Sequence, residues 1–226
     1  MKLSKLCRVL MTVLACAMLL CSCSSVTKLH VNDNDTYTDR KTGVTYRPLS
    51  PCYEPSLLGE EYASFNLSGL TTMLHTVDAL SPLEYLGSVH YGMYAAEEVA
   101  VPTFEQLDVT RVLIYSTNAP TIPTETLEAA EPDESAVIDG LRQAYLQGER
   151  VSYPSFYPQK ASFTLRFEAK NLPGVYYCFS YIEYEEDIYE EIDGQEKNLG
   201  RYFIYDRYEK ICVAVDASLH LSLYAN

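Results

Sequence analysis

The chain has 226 residues, with 31 Asp and Glu against 17 Lys and Arg and a formal net charge of −14. So acidic a surface is repelled by nucleic-acid phosphate, which argues against nucleic-acid binding. Twenty Tyr and no Trp are the compositional oddity; Tyr is a strong strand former that tolerates a half-wet face, and a Tyr-lined sheet can also stack on glycans.

The N-terminus carries Lys2, Lys5 and Arg8, and no acid precedes Asp33. Val9 to Leu20 reads VLMTVLACAMLL. That is the length of a signal-peptide apolar segment and falls short of the roughly 20 residues a membrane-spanning helix needs. Leu20-Cys21-Ser22-Cys23 then sets a Leu three positions before a Cys, with small residues between. This stretch resembles the export signal of bacterial membrane lipoproteins, a resemblance confined to residues 1 to about 25. It implies removal of residues 1–22, a diacylglyceryl group on the Cys23 thiol, and anchoring on the extracytoplasmic face of a cell membrane. Cys16 fits less well because it leaves an apolar segment of only about seven residues, and Cys21 follows the bulky Leu20. Two or three fatty chains on one Cys hold stably, at about 0.8 kcal/mol per buried methylene. The implied cleavage removes three bases and no acid, leaving 14 bases against 31 acids, a net −17. Contact with the membrane is therefore expected through the lipid and not through a basic patch.

Residues 23–42 are polar and rich in turn formers, and read as a flexible tether to a globular region at 43–226. Asp33, Asp35 and Asp39 alternate, but the central Gly and closing Glu of a calcium loop are missing. Strands are predicted at Val44 to Arg47, Glu60 to Phe65 and Val109 to Ser116. Between them, Leu67, Leu70, Leu74 and Val77 have helical spacing, while Thr71, Thr72, Thr76 and Val77 are β-branched. We read a strand at Met73 to Val77, a turn at Ser81-Pro82 and a strand at Leu86 to Tyr91. A sub-boundary is expected near 117–131. Pro132-Asp133-Glu134 opens a helix that Gly148 closes, and Val137, Ile138, Leu141, Ala144 and Tyr145 fall in an arc of about 120°. Phe163 to Phe167 alternates as a half-buried strand, Asn171-Leu172-Pro173-Gly174 turns, and strands follow at Val175 to Tyr184, Arg201 to Asp206 and Lys210 to Val215. The expected class is α+β: mostly antiparallel sheet, with one amphipathic helix at about 132–148 packed on a C-terminal meander.

Glu183, Glu185, Glu186, Asp187, Glu190, Glu191 and Asp193 put seven acids in eleven residues, before the hairpin dipeptide Asp193-Gly194. They read as a surface for a basic envelope protein or a cation, or as charge that keeps a sheet edge from aggregating. With Cys23 lipidated, Cys52, Cys178 and Cys212 remain, so at most one disulfide forms; Cys178 to Cys212 is the candidate pair, against three buried, reduced thiols. No Cys or His pair has metal-ligand spacing, and no cofactor motif is present. The chain also lacks a GxSxG elbow, an HExxH helix, a P-loop and a GxGxxG loop. His30 falls in the expected tether, leaving His75, His90 and His220 as candidate bases without an assignable orienting group. The expectation is a lipid-anchored binding module without catalysis; the alternative is an extracytoplasmic hydrolase acting on envelope polymer.

Overall fold

The computed structural model describes residues 26–50, 52–90, 92–118, 120–192 and 194–219. The expected signal segment, Cys23, Asp193 and His220 lie outside the described residues. The coarse expectation holds: the chain is β-rich with few helices, an α+β fold in that sense.

The first sheet begins inside the expected tether, which is a correction to the sequence reading. β1 (Thr27–Lys28) pairs in parallel with β6 (Leu58–Leu67), and Leu29 N–H donates to Ser64 O at 2.8 Å. β2 (His30–Val31) continues the same segment and pairs with β3 (Tyr37–Thr38) on its other side. Onward the order runs through β4 (Thr45–Pro48), β9 (Gly92–Ala96), β8 (Tyr85–Ser88) and β7 (Leu70–Val77) back to β6. Because residues 27–31 pair with both ends of that series, the sheet closes into a small barrel. Closure leaves no open edge along this segment. The interior is filled by Leu29, Tyr37, Tyr46, Ala63, Phe65, Leu74, Leu86 and Tyr94. Tyr37 stacks on Phe65 at 3.9 Å, and Tyr46 keeps its hydroxyl satisfied by donating to Pro82 O at 2.8 Å. Such short strands lack the alternation that marks a strand in sequence, so their composition reads as tether.

The ambiguous segment before Val77 is strand, as β7. The run at 86–91 is not one strand: β8 stops at Ser88, and the chain turns before Gly92, whose φ of +73 suits Gly. It returns as β9, paired at Leu86↔Tyr94.

The second sheet has the order β11 (Glu125–Glu128), β10 (Val109–Ser116), β13 (Gln159–Ala169), β14 (Leu172–Ile192), β15 (Gln195–Asp206), β16 (Ile211–Ala214) and β12 (Arg150–Val151). β5 (Tyr53–Pro55) reaches across from the barrel and pairs with β14 at residues 175–177. The stretch 117–131, expected as a sub-boundary, instead turns back as β11 onto β10. The change of sheet falls between β9 and β10, where Phe104–Gln106 form a 3-10 turn.

Helix α1 (Pro132–Gln147) starts on Pro132 with Asp133 and Glu134 in its first turn, and Gly148 N–H donates to Ala144 O at 2.8 Å. Val137, Ile138 and Leu141 are buried on the second sheet, and Ala144 and Tyr145 pack beside them. Each fully buried aliphatic side chain contributes about 1.5–3 kcal/mol. Outward residues of the barrel wall, Val77, Tyr85, Met93 and Ala95, enter the same core, so barrel, sheet and helix share one apolar interior. Phe104 sits at its centre, edge-on to Tyr145, Phe167 and Phe179.

Candidate functional site

The acidic run lies on the outer half of β14, a strand of 21 residues that extends well past the predicted end at Tyr184. It is strand because Ile182, Tyr184 and Ile188 pack with Leu199, Phe203 and Cys212 into a small second core. Two of the acids are spent inside the fold. Glu183 is buried, and Lys160 Nζ donates to it at 2.8 Å, which raises the lysine's affinity for its proton. Asp187 accepts from Asn198 and from Arg201 Nε at 2.9 Å, and these bonds hold its carboxyl below the usual carboxylate range. Glu185, Glu186 and Glu191 are exposed and Glu190 is half-buried. Across the ribbon the pairing ends at Ile192↔Gln195, the register of a two-residue turn, with Gly194 at φ +76.

Of the two readings of the cysteines, three buried, reduced thiols is the one found: the candidate Cys178 to Cys212 disulfide is not formed, and Cys52, Cys178 and Cys212 are free and buried. Cys178 lies on β14 and Cys212 on β16, with β15 between them. Two strand spacings, roughly 10 Å, exceed the ~7 Å Cα separation a disulfide can bridge. Burial pushes the thiols of Cys52 and Cys212 up to about 12, so neither is a reactive thiolate.

The histidines separate. His30 is on β2, and His75 on β7 places Nδ1 3.2 Å from Gly59 O. His90 alone of the described three lines a groove of about 750 Å³ between barrel and second sheet, with Glu54, Pro55, Ser56, Leu57, Leu58, Ser88, Val89, Gly92 and Tyr208. That volume is in the range of small-ligand sites. Sequence reasoning missed the groove because its walls come from three separate segments. Two glycines allow its shape. A Cβ on Gly87 would meet Leu58 Cδ2 at 2.5 Å, and Gly174, at φ +78, abuts Asp78 O while its own carbonyl accepts from Ser56 N at 2.9 Å.

The walls are apolar and open, with Leu57 62 % and Val89 66 % exposed. Polar side chains lie among them, from Glu54 and Ser56 to Ser88, His90 and Tyr208. Glu54 pairs with Arg166 at 3.3 Å, and Arg166 lies over the Tyr115 ring at 4.4 Å and near Tyr176 at 5.6 Å. Burial, then Glu54, raises the Tyr208 hydroxyl. The groove does bring a His near hydroxyls, but Ser88 is buried and its Oγ accepts from the His90 backbone N–H at 3.4 Å. A nucleophile needs an exposed hydroxyl aimed at its base, so Ser88 is not one; of the other hydroxyls lining the groove, that of Ser56 is half-buried and Tyr208 is 51 % exposed. Among the described residues no three His, Cys, Asp or Glu side chains converge as a metal site. No protein-family model, curated protein or solved structure matches the chain.

Proposed function

We propose that the chain is a lipid-anchored, extracytoplasmic binding module of a bacterial cell envelope, without catalysis, that takes its ligand in the groove lined by Leu57, Val89 and His90. The observation that carries the binding role is the groove itself: open apolar walls with a few polar side chains among them suit recognition. The anchoring role rests on the Leu20 to Cys23 segment. Cys23 stands four residues before Thr27, where β1 begins. Four extended residues reach at most about 14 Å, so a lipid on Cys23 keeps the barrel close to the bilayer surface. The net charge of −17 then keeps the rest of the surface off anionic headgroups.

Two measurements test this reading. Radiolabelled fatty acid should enter the wild-type chain and not Cys23→Ala; label retained in that variant overturns the assignment. A photoreactive benzophenone side chain at Val89 in cells should give a discrete adduct that the same group at exposed Ile122, outside the groove, does not. The same adducts from both positions overturn the groove. Release of soluble fragments from isolated envelope polymer by the full chain, lost in His90→Ala, would replace binding with hydrolysis.

A further inference from the structure

β14 outruns its neighbour. β13 pairs with it only as far as Gln159↔Tyr184, and one last bond, Glu185 N–H to Pro158 O at 3.1 Å, ends the ladder. Glu185, Glu186 and Asp187 fall in a bulge of the β14–β15 ladder; from Ile188 to Ile192, β14 is paired among the described residues only with β15, which leaves its opposite main-chain edge open there. An open edge is a template for a further strand. Its inner end is flanked by the loop that precedes β13. There Phe156, between Pro154 and Pro158, is 98 % exposed, and the Tyr157 ring stands 6.4 Å from that of Tyr184.

Charge selects the occupant. Glu183 and Asp187 are already matched by Lys160 and Arg201, whereas among the described residues Glu185, Glu186, Glu190 and Glu191 enter no ion pair. A neutral or acidic strand would leave these carboxylates uncompensated, whereas one bearing Lys or Arg would neutralise those on the face that its cations share. Phe156 offers such a strand a ring for cation stacking.

We propose that the β14 edge at 188–192, beyond the bulge that carries Glu185 and Glu186, binds an extended, lysine- or arginine-bearing segment of a partner protein as an added strand. The inference rests on the binding-module reading but uses a surface separate from the groove. The competing role of these charges is to keep the edge unpaired.

The test uses the full chain in detergent micelles and a synthetic peptide of alternating Lys and Val. A second peptide of the same sequence is N-methylated on alternate amides, which keeps the charge and removes the main-chain donors. The parent peptide should bind and protect amides in 188–192 from hydrogen exchange. Binding should weaken about tenfold between about 50 and about 300 mM salt, because added salt shortens the screening length and with it the reach of attraction between exposed charges. N-methylation, and the joint change of Glu185, Glu186, Glu190 and Glu191 to Gln, should each weaken it about tenfold or more. Equal binding of both peptides overturns strand addition. No binding of either peptide, or full binding by the Gln variant, overturns the proposal as well. A Val89 adduct that survives either failure leaves the groove reading standing; loss of that adduct with peptide binding intact removes the groove alone.

Discussion

Tyr145 of α1 donates its hydroxyl to Asp206 Oδ2 at 2.9 Å, tying the helix to the turn after β15. Asp206 is 0 % exposed, and its Oδ1 accepts from Cys52 Sγ at 3.2 Å and from the backbone N–H groups of Tyr208 and Glu209 at 2.9 and 3.0 Å. One carboxylate thus holds α1, the segment leading into β5 and the turn that carries Tyr208 to the groove. Asp206→Ala leaves those donors buried without acceptors and should cost roughly 3 kcal/mol or more. Tyr145→Phe removes one donor and should cost about 1 kcal/mol. Urea denaturation measures both. Equal midpoints for the two variants would show that Asp206 is not the shared acceptor that its geometry indicates.

Barrel closure makes residues 27–38 part of the core. Tyr37→Ala removes a buried ring stacked on Phe65 and should cost about 3 kcal/mol. A flexible tether would lose nothing. Thermal unfolding of the variant with an unshifted midpoint would return residues 27–42 to a tether.

Alkaline pH should unfold the protein earlier than its carboxylates alone would suggest. Burial raises the thiols of Cys52 and Cys212 from 9.0 to about 12, and that of Cys178 well above 9.0. Burial likewise raises the hydroxyls of Tyr53 and Tyr176 to about 12. These groups stay protonated when folded and lose their protons first when unfolded. Their contribution is therefore complete below the unfolded value of a thiol and is lost as pH rises from about 9 to about 12. The urea midpoint should fall steadily across that window, with a shallower fall in Cys212→Ala. A midpoint flat to about pH 11 would refute the burial of these groups. A thiol reagent near neutral pH should react with Cys52, Cys178 and Cys212 only after denaturation.

The amino-acid sequence by itself determined those elements whose cause is local. α1 is legible because Pro132, two first-turn acids and an apolar stripe ending at Tyr145 all act within 16 residues. β10 is legible because Val109 to Ser116 pairs β-branched and apolar residues between turn formers. The turn that closes the ribbon at Ile192↔Gln195 is likewise local, with Gly194 at φ +76. What depends on distant partners was decided only in the tertiary structure. Residues 27–31 become strand because Ser64 and Thr38 lie on either side of them, not through any pattern of their own. Glu183 is buried because Lys160, 23 residues away, neutralises it, so a run of seven acids is not a uniform surface. Cys178 and Cys212 remain thiols because β15 stands between their strands. The groove joins residues near 54–58, 88–92 and 208, brought together only when β5 crosses from barrel to sheet. Propensity and periodicity act over a few residues, whereas strand order and closure are set by burying both sheets and the helix in one core.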